Sequence, residues 1–322
     1  MHDIVATIQA EQDVIIRAQL RELIVVQGGP GTGKTAVGLH RAAFLLFAHR
    51  TEFERRKLLV VGPNRVFLEY ISDVLPSLGE TAAVQSTIEM LLARSFPVRR
   101  VETPTVVRLK GDARMATVIG RLVDSRLADD DQTVDGEVMT GFGLARFPGF
   151  EVQRMVGDLR GSRLATNAAR DVLRDQLVAL AWRVRAERSD VSPEQQFQFT
   201  DDLRTQVRFK KYLDRLWPLL AAGPLVRTLF TNQGERARCA EGVLSKAEQD
   251  LLARRSTPKI ADERWTRADL GLLDEVHARA VGDQPQFGHV VVDEAQDLSA
   301  MELRMVARRA YAQSMTILSE CE

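Results

Sequence analysis

The run Gly28-Gly29-Pro30-Gly31-Thr32-Gly33-Lys34-Thr35 gathers the residue types that bind phosphate. Glycines let successive backbone N–H groups curl around an anion, the Lys34 ammonium reaches the terminal phosphates, and the Thr35 hydroxyl is placed to ligate magnesium. Pro30 and Thr32 fall at positions where the GxxxxGK[ST] pattern accepts any residue. Such a loop works only when a strand delivers the chain to it and a helix starts behind it. Both are predicted here: Leu23-Ile24-Val25-Val26 is an apolar run of strand type, and Ala36 to Phe47 reads as a helix whose N-terminus faces the anion. The chain is therefore expected to bind ATP or GTP, and loss of Lys34 to remove hydrolysis and most productive phosphate contact.

A second group of residues supplies the acids that phosphoryl transfer needs. Val290-Val291-Val292-Asp293-Glu294-Ala295-Gln296-Asp297 is an apolar strand that ends in paired carboxylates. Asp293 is expected to hold magnesium, directly or through water, and Glu294 to polarise the attacking water, because this chemistry depends on positioning and charge stabilisation. Gln296 is placed to sense the γ-phosphate. The competing reading makes Asp293 or Asp297 a cap for a helix starting near Ser299. Lys34 and Asp293 are 293 − 34 = 259 positions apart. Compact kinases and GTPases place these two elements much closer together, so a large insertion is expected between them.

The rest of the chain bounds the class. With 322 residues and 45% hydrophobic content there is enough apolar surface for a packed core in one large domain or two smaller ones. Lys+Arg 44 balances Asp+Glu 44, so no global basic field advertises nucleic acid, although a local basic groove is compatible with this balance. Two cysteines, Cys239 and Cys321, exclude a disulfide framework or a four-thiolate zinc site and suit a reducing compartment. No apolar stretch is long enough to span a bilayer, and Met1 to Ala10 lacks a secretory pattern, so a cytoplasmic location is expected.

Around the loop the pattern is β-α-β-α-β. Leu58-Leu59-Val60-Val61 is a second buried parallel strand, ended by Gly62-Pro63-Asn64; helix resumes near Val66; Thr81 to Gln85 is a third strand; and Ser86 or Thr87 caps a helix carrying Ile88, Leu91 and Leu92. From about Arg99 to Pro285 helical spacing dominates, as in Ala168 to Arg188, Leu203 to Leu220 and Ala237 to Arg255. Thr105 to Lys110 and Asp129 to Gly149 are the places where small strands and loops are expected. Strand character returns at Gly288 to Asp293 and Ser314 to Leu318. The predicted fold is thus α/β, a RecA-like parallel sheet of the P-loop NTPase class split by a large, mostly helical insertion. Its expected parts are 1–98 and 286–322 for the two portions of the nucleotide lobe and 99–285 for the insertion.

Taken together, the loop Gly28 to Thr35 and the tetrad Asp293-Glu294-Ala295-Gln296 resemble the first and second motifs of superfamily 1 helicases of the UvrD/Rep type. Ile8-Gln9-Ala10-Glu11-Gln12 is similar to that family's adenine-reading glutamine motif, with Gln12 at the base-binding position. Within the family the chain looks most like the HelD type, helicase-like ATPases that engage bacterial RNA polymerase. That likeness comes from Ile4 to Gln9, Leu39 to Ala43, Val61 to Asn64, Val74 to Glu80, Trp265 to Asp269 and Leu272 to Glu275.

The resemblance implies ATP and Mg2+ as cofactors, and single-stranded DNA or RNA polymerase as partner. It also implies a second RecA-like lobe that this sequence lacks, because Ser319-Glu320-Cys321-Glu322 stands where a Gly-Asp-x-x-Gln turn would follow. A truncated chain with feeble hydrolysis is expected on that reading, and a non-hydrolysing module that docks on RNA polymerase is the alternative; an unrelated P-loop kinase fits Glu294 and the split domain less well. Pro63, Asn64, Phe67, Tyr70 and Thr87 are candidate strand contacts, though Phe67 and Tyr70 read more naturally as core residues of a helix face. Arg99-Arg100, Lys210-Lys211 and Arg308-Arg309 read as solvated pairs. His40 and His289 have no evident metal partner, so magnesium is the one metal expected.

Overall fold

In a computed structural model, residues 10–77, 83–127, 135–187, 192–282 and 284–321 are described. Ile4 to Gln9, Leu78 to Ala82, Asp129 to Val134, Arg188 and the side chain of Tyr70, all used in the readings above, lie outside them. Seven strands occur among the described residues: β1 (Leu23–Gly28), β2 (Leu58–Val61), β3 (Ala83–Ser86), β4 (Gly136–Thr140), β5 (Gly143–Phe147), β6 (His289–Val292) and β7 (Met315–Glu320).

Five of them form one sheet in the order β1-β7-β6-β2-β3, and every neighbouring pair is parallel. The two late strands therefore insert between the first two. Register pairs Gly28 with Glu320 and Val61 with Val292, so the loop after β1 and the acids after β6 emerge at one rim. Ligands of open parallel sheets bind at this carboxyl-terminal rim. β2 and β6 are buried at all four positions, as their unbroken Leu and Val runs require of central strands covered on both faces. β1 lies at an edge, and Leu23 and Val25 on it stay more than half exposed.

Helices cover both faces. On one face the helix Lys34–Ala48 brings Leu39, Leu45 and Leu46 against Leu58, Val60, Val291 and Leu318. Gly38 permits this approach, since a Cβ there would stand 2.5 Å from Leu318 Cδ1. On the other face Leu59, Val61, Val290, Val292 and Met315 join a core with the helices Met115–Asp124, Ala222–Thr231, Arg267–Ala280 and Ala300–Ala307.

A separate core lies in 138–217, where the antiparallel hairpin β4–β5 packs on the helices Gly149–Arg160, Thr166–Ala186, Pro193–Thr205 and Val207–Leu216. Phe147 stacks there on Phe209 and Tyr212, with ring centroids 5.8 and 5.0 Å away. The stretch 99–285 is thus divided between two cores, its flanks serving the sheet and its centre serving itself.

Several local expectations change. Thr105 to Lys110 is not a strand but part of the helix Pro104–Gly111; its β-branched Thr105, Val106 and Val107 mislead, whereas Pro104 at the first turn, behind Thr103, suits a helix start. Leu203 to Leu220 is interrupted, because Gln206 takes extended angles between two helices. Ala237 to Arg255 breaks likewise around Gly242, whose φ of 67° is left-handed, leaving the helices Gln233–Ala240 and Lys246–Leu251. The hairpin β4–β5 falls inside the stretch where small strands were expected. At the helix Ile88–Leu92 the cap is Thr87, whose hydroxyl accepts from Met90 N.

Candidate active site

Gly31 and Gly33 adopt φ of 73° and 82°, angles that L side chains rarely tolerate, and they bend the loop back over the start of the helix Lys34–Ala48. Thr32 closes the turn by donating its hydroxyl to Gly29 O at 2.8 Å. The helix has no acid in its first turn and no side-chain cap, so its N-terminal N–H groups face the loop's hollow. This is the geometry of an anion cradle.

Thr35 and Asp293 meet. The Thr35 hydroxyl donates to Asp293 Oδ2 at 2.9 Å across 258 residues of chain. Asp293 is buried, held in place by its own N–H donating to Val61 O at 3.0 Å, and its Oδ1 accepts from Glu294 N at 3.0 Å. Burial pushes its carboxyl above the usual carboxylate range, while the Thr35 and Glu294 hydrogen bonds and the Lys34 charge pull the other way and the Glu294 charge adds to the rise. Two hard oxygen donors side by side at the mouth of an anion cradle fit a magnesium ion that also takes phosphate oxygens. The capping alternative fails for Asp293. Ser299 itself caps the helix Ala300–Ala307, in a capping box with Glu302.

Glu294 stands in the left-handed region at φ 50°, ψ 46°, a conformation that costs about 1–2 kcal/mol for a residue with a side chain. That turn swings its carboxylate out of the strand direction, where Gln296 Nε2 donates to Oε2 at 2.5 Å. Gln296 Oε1 accepts from Glu320 N at 3.0 Å, tying the acid turn to the end of β7. Lys34 Nζ donates to Gly28 O and Gly29 O, each at 2.9 Å. Gln12, on the helix Ala10–Arg17, donates from Nε2 to Thr32 O at 3.5 Å and so lies against the same loop. Gly28, Gly29, Pro30, Gly31, Thr32, Gly33, Lys34, Thr35, Asp293, Glu294, Gln296 and Gln12 are therefore assembled at one rim.

A family model described as an AAA domain matches residues 11–318. The chain belongs to that AAA domain family. It is a P-loop NTPase domain by family and by its mainly parallel sheet. A search of curated proteins returned no match.

Two residues of this AAA domain that the motifs did not assign to the site stand against it. Arg41 is fully buried and donates to the carbonyls of Ile15, Ile16, Ala18 and Gln19 and to the Thr316 hydroxyl, at 2.7 to 3.2 Å. It pins the end of the Gln12 helix to the phosphate-loop helix; an arginine between apolar residues on a buried helix face was the available signal. Glu320 is the second, and its carboxylate lies 3.7 Å from Lys34 Nζ.

The proposed strand contacts are mostly committed elsewhere. Asn64 accepts from Phe67 N through its side chain, Thr87 caps a helix, and Phe67 packs partly buried over Gly62, where a Cβ would stand 2.3 Å from its ring. Arg308-Arg309 is not a solvated pair: Arg308 Nη1 and Arg309 Nη2 reach the buried Asp274 at 2.6 and 2.8 Å. Arg99-Arg100 and Lys210-Lys211 are exposed. His289 is buried with both ring nitrogens on hydroxyls, Ser314 at 2.7 Å and Thr316 at 2.9 Å. Among the described residues no group of three or more His, Cys, Asp or Glu could hold a metal, and no helix is long and apolar enough to cross a membrane.

Proposed function

We propose that this AAA domain is the ATP-binding lobe of a UvrD/Rep-type helicase-like ATPase, nearest the HelD type, coupling hydrolysis of ATP to remodelling of DNA or RNA polymerase in the cytoplasm. The observation that carries the reading is the Thr35–Asp293 hydrogen bond, which joins the phosphate loop to an acid 258 positions away. Support for the helicase type comes from the family match, from Gln12 against the loop, and from the helical segment between β3 and β6.

In this reading the loop N–H groups and Lys34 bind and orient the phosphates, and Gln12 offers an amide that matches the N6/N7 edge of adenine. Thr35 and Asp293 hold magnesium, which when bound supplies positive charge against the phosphates. Glu294 orients the attacking water and accepts its proton at a carboxylate oxygen as the water oxygen bonds to the terminal phosphorus and ADP departs. Gln296, held between Glu294 and the end of β7, positions that carboxylate.

Hydrolysis measured with and without single-stranded DNA, beside capture of RNA polymerase, tests the reading. DNA-stimulated turnover supports a motor, and polymerase capture without a DNA effect supports a nucleotide-dependent docking module. Absence of nucleotide binding contradicts both.

A further inference from the structure

Lys34 Nζ donates to the carbonyls of Gly28 and Gly29, and Glu320 Oε1, 3.7 Å away, is its ion-pair partner without a direct hydrogen bond. The Lys34 side chain is 10% exposed, so this pair is only weakly screened on the lysine side, whereas Glu320 is 39% exposed and can swing away. Glu320 is held at this spot by the fold: it pairs with Gly28 in the β1–β7 register, and the N–H that follows it, that of Cys321, donates to Gly28 O at 3.4 Å. β7 lies between the strand that leads into the phosphate loop and the strand that leads to Asp293, so its tip stands at the same rim between the two.

Resting on the nucleotide-binding reading above, we infer that Glu320 sets the preference of this site between a nucleoside triphosphate and a diphosphate. Its carboxylate is the anionic partner of Lys34 until a terminal phosphate takes that place. Two anions then compete for one ammonium, and the terminal phosphate must displace Glu320 against like-charge repulsion. A diphosphate, cradled further in by the loop N–H groups, meets less of that repulsion. The same residue's backbone N–H holds Gln296, and Gln296 holds Glu294, so a shift of residue 320 is transmitted to the carboxylate that faces the water.

Dissociation constants for ADP and for a non-hydrolysable ATP analogue, measured by titration calorimetry with Mg2+ on the whole chain, test this. Glu320→Gln keeps the shape and removes the charge; it is expected to tighten the triphosphate analogue by about 5- to 10-fold and ADP by less than about 2-fold, with the difference shrinking in high salt. Glu320→Asp keeps the charge and is expected to stay close to the parent ratio, with thermal unfolding of both variants confirming that they fold. An equal shift for both nucleotides, or none, overturns the role of Glu320 while leaving the phosphate loop intact. A parent chain that binds neither nucleotide sinks the loop reading itself, and this inference with it.

Discussion

Two groups of charges in this molecule are built on opposite plans. At the phosphate loop, Lys34, Glu294 and Glu320 are partly exposed, and much of their bonding is to one another, to loop carbonyls or to the Gln296 amide. Along the helix Arg267–Ala280, Asp269, Asp274 and Glu275 are fully or almost fully buried and each takes several partners. Asp269 accepts from Lys110 at 2.8 Å and Arg254 at 2.7 Å, and Glu102 completes a four-member cluster with both cations, which also lie 4.4 Å from the Phe230 ring centroid. Asp274 takes Arg308 and Arg309, and Glu275 takes Arg279, Arg304 and Arg308. In the proposed function the loop charges exchange their partners for a ligand, whereas the charges that splint helices are buried against several fixed partners each. The splint links the helix Pro104–Gly111, through Lys110, to the helix Ala300–Ala307 and the residues after it, so it braces the layer on which the acid-bearing strand β6 lies.

The largest expected effect comes from breaking the splint. Asp269→Ala leaves the buried Lys110 and Arg254 sharing Glu102, with Glu263 3.9 Å from Arg254, and a loss of about 3–5 kcal/mol is expected in denaturant unfolding. Below its transition the variant is expected to bind nucleotide as the parent does. A variant of parental stability contradicts the splint.

A smaller effect sharpens the contrast by pH. Ser314 donates its hydroxyl to Leu20 O, and Thr316 accepts from Arg41, so His289 can only donate at Nδ1 and accept at Nε2. Burial first, then the Arg41 charge, pushes its pKa down from 6.5 to about 3. A histidine held neutral contributes stability that is complete above pH 6.5 and lost as pH falls toward the folded value. Unfolding free energy is expected to drop by up to about 1.4 kcal/mol per pH unit between pH 6.5 and about 4.5, above the range where most carboxylates titrate. His289→Gln is expected to flatten that window. An unchanged slope contradicts the assignment.

The same contrast explains what could be read from the residues alone. Leu58 to Val61 and Val290 to Val292 announce buried parallel strands because both faces must be apolar, and the glycines and Lys34 announce the loop because phosphate binding constrains their spacing. Strand order left no such trace: nothing in the composition of β7 says that it pairs with β1 rather than with β3. Arg308 and Arg309 look like surface residues, since their burial depends on Asp274, which a distant helix supplies. Thr105 to Val107 carry β-branched side chains that argue for strand, but Lys110, three residues after Val107, is needed between Glu102 and Asp269, and that helix places it there. Glu320 gave no signal as a site residue because its place beside Lys34 follows from the β1–β7 register.

The proposed function rests on Thr35 and Asp293 sharing one cation. Titration calorimetry of a non-hydrolysable ATP analogue, with and without Mg2+, tests this in the parent, Thr35→Ala and Asp293→Asn. Mg2+ is predicted to tighten binding by at least about tenfold in the parent, and that gain is predicted to vanish in both variants. A gain that persists unchanged in both would contradict the account.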